Sequence, residues 1–262
     1  METSLLYSLS GLIVGTLVGL TGVGGGSLMT PLLVLFFGIH PVSAVATDLI
    51  YAAITKAAGT AVHHRGQNVN WRVTGLLAAG SVPASLLSLI FIASGARNDP
   101  SFIAALKTGL GYALLLTALL VLFRRRIMDH IARFNSTHAP MSGPMQGGLT
   151  VLTGIILGVL VSLTSIGAGA LGVTALLALY PRLRTHEIIA SDIAHAVPLT
   201  LVSGLGYWYM GEVDFPMLGA LLLGSIPGII LGSHLAPKLA DGVLRPILSV
   251  ILLIVGLRLV WQ

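Results

Sequence analysis

This 262-residue chain contains no cysteine, and Asp, Glu, Lys and Arg together make up only 9% of it. The first absence excludes disulfides, thiol chemistry and thiolate metal sites. The second excludes an ordinary water-soluble globule, in which roughly 25% of residues are charged. No Gly-Lys-Ser/Thr phosphate loop occurs, so the chain carries no ATP-binding element of its own. No His-Glu-x-x-His pair or comparable catalytic constellation occurs either, which argues against an intramembrane enzyme. Met1, Glu2 and Thr3 are not a basic leader, so no cleaved signal peptide is expected. What fills the chain instead is apolar: 55% of residues are hydrophobic and the mean hydropathy is +0.95. Several runs reach the ~20 residues that span a bilayer. The 32 glycines suit helices that pack closely in lipid through small faces. The net charge of +5 sits in short loops between apolar runs, which points to a lipid bilayer as partner and not to nucleic acid.

The chain also repeats itself. Gly11, Gly15, Gly19, Gly22, Gly24 and Gly26 recur 143 residues later as Gly154, Gly158, Ser162, Ser165, Gly167 and Gly169. After a one-residue insertion, Ala46-Thr47-Asp48 matches Ala190-Ser191-Asp192, Asn70-Trp71 matches Asp214-Phe215, and Gly80-Ser81-Val82-Pro83 matches Gly224-Ser225-Ile226-Pro227. A duplicated apolar chain suggests a transporter, because a site at the junction of two repeats can open to either side. Residues 1–123 form the first repeat, 124–146 a basic cytoplasmic linker and 147–262 the second repeat.

Apolar periodicity and its breaks give full spans at about 43–63, 72–94, 102–123, 187–209, 214–236 and 242–261. The segments 4–38 and 147–180 are each interrupted by small residues, at 22–26 and 165–169. If each broken segment returns to its starting side, ten of the fourteen Lys and Arg residues fall on one face of the membrane. If each crosses once, the loop charges divide almost evenly. The positive-inside rule selects the first arrangement. Each half then makes an odd number of crossings, and the second is inverted relative to the first. The fold class expected is all-α: a polytopic integral membrane protein of inverted-topology repeats, with two broken or re-entrant helical segments plus six full spans. Trp71, Tyr207, Trp208, Tyr209 and Trp261 sit near span ends and read as an interfacial aromatic belt. Arg124 to Arg133 reads as an interfacial helix or lipid anchor, and His63, His64 and Arg65 as an interfacial basic cap.

A helix is broken at membrane depth only where its freed backbone groups find partners or face water. Gly22, Gly24, Gly25, Gly26 and Ser27, with Ser165, Gly167 and Gly169, are therefore candidate substrate-binding residues. The helices that begin near Ser27 and Ala170 would point N-terminal amides at the breaks, an arrangement that favours an anion. The competing reading is that these glycines serve only tight packing and a turn. Gly11, Gly15 and Gly19 form a smooth stripe and read as a helix-packing surface.

Ionisable residues within spans are costly and usually functional. Asp48 and Asp192 occupy equivalent positions, with helix capping as the structural alternative. Lys56 follows Asp48 by eight residues on one helix face, and a cation there would attract an anion or neutralise an acid. His195 follows Asp192 by three residues, and a histidine next to an aspartate can change protonation near neutral pH. Asp48, Asp192 and His195 are thus candidates for proton coupling; bracing of helices by a polar pair is the alternative for His195.

Taken in order and twice over, the glycine-led breaks, Pro31 and the leucines after it, Ala46-Thr47-Asp48, Val69-Asn70-Trp71 and Gly80-Ser81-Val82-Pro83 resemble the sulfite exporter TauE/SafE family of membrane permeases. The likeness covers nearly the whole chain. It implies a multi-pass protein of the cell inner membrane, a small anionic substrate such as sulfite, sulfoacetate or another organosulfonate, and glycines at the transport path. The second break lacks the family's full glycine triplet, and Asp48 and Asp192 stand where relatives often carry a hydroxyl. The function expected is a secondary transporter, working by alternating access with proton coupling and with no cofactor or metal. A passive anion channel is the alternative. A homodimer is an open expectation.

Overall fold

The computed structural model describes residues 2–21, 26–65, 69–95, 98–124, 126–127, 129–130, 143–235 and 241–261. Its elements are ten helices: α1 (Glu2–Thr21), α2 (Gly26–Phe36), α3 (Pro41–Arg65), α4 (Trp71–Ala93), α5 (Pro100–Leu122), α6 (Gly143–Thr164), α7 (Ala170–Leu179), α8 (Thr185–Tyr209), α9 (Phe215–Leu235) and α10 (Asp241–Trp261). Helices reappear at the six expected spans with ends shifted by a few residues, and the second expected break falls between α6 and α7. At 1.5 Å per residue, α2 and α7 are only about 15 Å long, half the hydrocarbon thickness. Residues 22–25 and 131–142 lie outside the described residues, so the first break and most of the linker are not characterised.

Five described helices are long and apolar enough to cross a membrane: α4, α5, α6, α8 and α9. Six full spans were expected, and α6 was read as one arm of a broken segment. α6 qualifies because it runs 22 residues before the break. α3 does not, because Asp48, Lys56 and His63-His64-Arg65 lower its hydropathy. α10 contributes only its apolar stretch Pro246–Trp261.

Large apolar side chains cover the outside as well as the core. Leu87, Phe91, Ile156, Leu223, Ile230 and Ile254 are all exposed, a surface that only a hydrocarbon environment tolerates. Trp71, Trp208, Tyr209 and Trp261 are exposed as a belt requires. Tyr207 is not. It is 1% exposed, and its hydroxyl donates to the Ser162 carbonyl at 2.9 Å. Tyr207, one turn back from Met210 at the end of α8, faces inward while Trp208 and Tyr209 face out.

The halves of the chain interleave. α1 packs mainly on α9, α4 on α6, α3 on α8 and α5 on α10. Glycines set the closest of these contacts. A Cβ on Gly11 or Gly15 would strike the backbone of Leu221 or Ser225, and one on Gly224, Gly228 or Gly232 would strike that of Ser8, Leu12 or Thr16. On α6, Gly154 and Gly158 stand in the same way against Leu77 and Ser81, and Gly80 of α4 against Val151. Backbone-to-backbone packing of this kind replaces the hydrophobic driving force that lipid removes.

Polar bonds tie the same interfaces. Asn70 caps α4 by accepting from the Val73 amide, at 3.3 Å, while its own amide donates to Ser191 Oγ at 2.8 Å. Asp214 accepts from the Met217 amide at 2.9 Å, and its amide donates to Thr47 Oγ1 at 3.2 Å. A buried cluster joins α4, α6 and α8. Ser203 Oγ lies 2.7 Å from Ser85 Oγ and 2.9 Å from Ser162 Oγ, and donates to the Leu199 carbonyl at 2.9 Å. A hydroxyl has one proton and two lone pairs, so Ser203 accepts from both neighbours and its valence is full.

Candidate functional site

The second break shows why small residues stand there. Gly167 and Gly169 have φ of 122° and 123°, a region that other L residues rarely adopt. Ser165, just past the end of α6, has φ 57° and is the one non-glycine residue at positive φ among those described. Gly167 packs under Leu157 and Leu160 of α6, and its carbonyl accepts from the Gly172 amide at 3.2 Å.

Asp48 of α3 and Asp192 of α8 are both buried, at 0% and 1% exposure. Each reaches toward a half-length helix. Asp48 Oδ2 accepts from Thr30 Oγ1 of α2 at 2.5 Å. Asp192 lies beside the N-terminal end of α7, where the Gly169 amide acts on it, and Gly172 leaves just enough room, since a Cβ there would collide with Asp192 Oδ1. The amides of α7 were expected to face an external anion. In this structure the N-terminal end of α7 stands beside the protein's own carboxylate, as helix-dipole electrostatics favour.

Lys56 lies two turns beyond Asp48, about 12 Å along the helix axis. Its ammonium feels both Asp48 and Asp192, and it also acts on His195. One half-buried cation thus acts electrostatically on two acids on different helices. His195 is fully buried. Its Nε2 pairs with Ser81 Oγ of α4 at 2.8 Å, not with the neighbouring Asp192. Its counterpart Tyr51 faces Ser225 of α9, the sequence counterpart of Ser81, but neither hydroxyl completes a hydrogen bond.

Among the described residues, seven buried side-chain polar atoms lack a hydrogen-bond partner: Asp48 Oδ1, Tyr51 Oη, Thr117 Oγ1, Ser165 Oγ, Asp192 Oδ1, His195 Nδ1 and Ser225 Oγ. All but Thr117 belong to this one region. Buried polar atoms are normally satisfied, so a cluster of orphans needs an explanation. Unsatisfied donors and acceptors in one buried place are what a polar ligand would complete.

The structure therefore places Lys56 where it acts on Asp48, Asp192 and His195, with Ser165 beside Asp48 and Gly169 beside Asp192. Gly22, Gly24 and Gly25 lie outside the described residues, and Gly26 and Ser27 begin α2. Sequence reading missed Thr30, Tyr51, Ser81 and Ser225 as site residues. Ser81 and Ser225 sit in the repeated Gly-Ser-Val/Ile-Pro motif, which was the available signal. Among the described residues no cluster of three His, Asp or Glu could hold a metal ion. A separate cavity of about 520 Å³ between α5 and α6, lined by Phe102, Leu106, Ile155, Val159 and Thr164 among others, is apolar and includes none of the charged groups.

Comparison with known proteins agrees with a membrane role. A family model described as "Sulfite exporter TauE/SafE" matches residues 7–259. "Probable membrane transporter protein YjnA" of Bacillus subtilis (strain 168) is 40% identical over 256 residues, covering 96% of this chain and 98% of that protein. "Probable membrane transporter protein MJ0441" of Methanocaldococcus jannaschii is 29% identical over 270 residues, covering 96% of this chain and 93% of that protein. No solved structure matches the chain.

Proposed function

The chain belongs to the sulfite exporter TauE/SafE family and is a multi-pass membrane transporter; we propose that its cargo is a small anion, sulfite, sulfoacetate or another organosulfonate, moved across the cell inner membrane by alternating access and coupled to protons. The observation that carries this reading is the pair of buried acids, Asp48 and Asp192, that share the field of Lys56 amid orphaned polar atoms. With both acids ionised, two negative charges face one positive charge and the site repels an anion. With both protonated, Lys56 alone remains and the site attracts one. Anion affinity is then conditional on protonation, which is what thermodynamic coupling requires. Asp48 and Asp192, with His195 alongside, are the groups that load protons. Gly22, Gly24, Gly25, Gly26, Ser27, Ser165, Gly167 and Gly169 line the path at the breaks.

Inverted repeats supply the alternation. In support, contacts recur at equivalent positions: Gly11 on Leu221 and Gly154 on Leu77, Gly15 on Ser225 and Gly158 on Ser81, Gly224 on Ser8 and Gly80 on Val151. The test is uptake of labelled sulfite and sulfoacetate into proteoliposomes under imposed pH gradients, with counterflow. Saturable flux with counterflow, lost in Asp48→Asn and Asp192→Asn, is expected. Flux without saturation or counterflow means a passive channel, and no flux of any small anion refutes the reading.

A further inference from the structure

The acid end of the site has a different composition from the rest. Asp48 presents one carboxylate oxygen bonded to Thr30 Oγ1 and a second, Oδ1, with no partner. Ser165 Oγ acts on that same carboxylate yet lies outside hydrogen-bond geometry, and it too has no partner. Both side chains are more than nine-tenths buried. Ser165 sits at the C-terminal end of α6, where the last carbonyls of a helix lack i+4 amides and carry the negative pole of its dipole.

Backbone conformation singles out the same residue. Its φ of 57° is comfortable for glycine and strained for serine, and the sequence-equivalent position, Gly22, is glycine. A strained serine where glycine would fit points to a use for the hydroxyl. Hydroxyl, carboxylate and helix-end carbonyl are all hard oxygen donors, the set that binds alkali and alkaline-earth cations. Broken helices hold coupling cations at such C-terminal ends in other transporters. Charge selects the valence. Asp48, Asp192 and Lys56 leave one negative charge uncompensated, so a monovalent cation makes the buried network neutral, whereas a divalent one would overshoot.

We propose that Asp48, Thr30 and Ser165, with the carbonyl end of α6, form a sodium site, and that sodium there exchanges with a proton on Asp48. This rests on the coupled-transport reading and deepens it: sodium at Asp48 makes the site neutral, and a proton then taken up by Asp192 leaves the net positive charge that draws the anion. The titratable groups acting on Asp48 are Lys56 and Tyr51, both on its own helix.

The test uses the full-length protein purified in detergent, without any anion substrate. Thermal unfolding is followed in rising NaCl, with choline chloride holding ionic strength and chloride constant, and with LiCl and KCl as comparisons. A saturable rise in Tm of roughly 5 °C or more, at sodium a hundred times its dissociation constant, is expected. Ser165→Gly removes the hydroxyl and relieves the strained backbone. It should unfold no earlier than the parent in choline chloride yet show no sodium response, and Ser165→Ala should also lose the response. Equal Tm in sodium and choline, or a sodium response retained in Ser165→Gly, overturns the proposal. Because no anion is present, a sodium response stands or falls separately from anion flux.

Discussion

Gly224→Ala is the sharpest test of how the helices fit. The added methyl would land on the Ser8 carbonyl oxygen, 2.7 Å from its carbon and 2.9 Å from the Leu12 nitrogen. All three atoms are backbone, so no side chain can swing away. Ordinary contact begins near 3.4 Å, and α1 and α9 must separate to restore it. That movement also strains the bond from Ser8 Oγ to the Ala220 carbonyl, 2.9 Å long. Overpacking by one carbon costs about 1–3 kcal/mol where side chains can yield, and the upper end applies here. Alanine returns up to about 1 kcal/mol through helix propensity. The net loss is about 2 kcal/mol, a fall in Tm of roughly 4–8 °C for a chain of this size. Gly219→Ala on the same helix meets nothing within 4 Å and should raise Tm by roughly 1–4 °C through the same propensity gain. Differential scanning fluorimetry of the two purified variants reads the contrast. If Gly224→Ala is as benign as Gly219→Ala, the close approach of α1 to α9 is wrong.

Other perturbations address other joints. Lys56→Met removes the cation that acts on both acids and should lower Tm; adding Asp192→Asn should recover part of the loss with a coupling of about 0.5–3 kcal/mol, and a double-mutant cycle that is simply additive would contradict the electrostatic link. Ser203→Ala leaves Ser85 and Ser162 without their common acceptor, and thermal unfolding should show a loss of about 2 kcal/mol. Asn70→Ala removes the cap of α4 and should cost about 1 kcal/mol in the same assay. Outside the spans, the Ser101 hydroxyl and amide bonded to Asp99 hold its carboxyl below its ordinary value of 3.8. A depressed carboxyl stabilises above that value, and its contribution is lost as pH falls below it; Asp99→Asn should remove this step from an acid titration of Tm.

Helix positions were legible because apolar runs and their glycine, proline and asparagine stops are local signals. The half-length of α2 and α7 could be read from the small residues that precede them. Crossing lengths were less so, since α6 continues for 22 residues before Ser165 while α3 dilutes its hydropathy with its charged and histidine residues. Asp48, Asp192 and Lys56 stood out as charges among apolar residues. Their partners did not. Thr30 is a plain threonine in an apolar helix, and only folding brings α2 against α3. The inward turn of Tyr207 was hidden by two outward aromatics at its side. Gly224, Gly228 and Gly232 carry the same four-residue spacing as Gly11, Gly15 and Gly19, and that shared period was the overlooked hint that the two stripes meet.

The interleaving of the halves constrains biogenesis. α1 leaves the ribosome well before α9, and the surface its glycines fit emerges some two hundred residues later. Until then those small faces can rest only on lipid or on an insertase. Translation of the first half alone should therefore give an inserted but protease-sensitive intermediate, and the second half, supplied as a separate polypeptide, should rescue it.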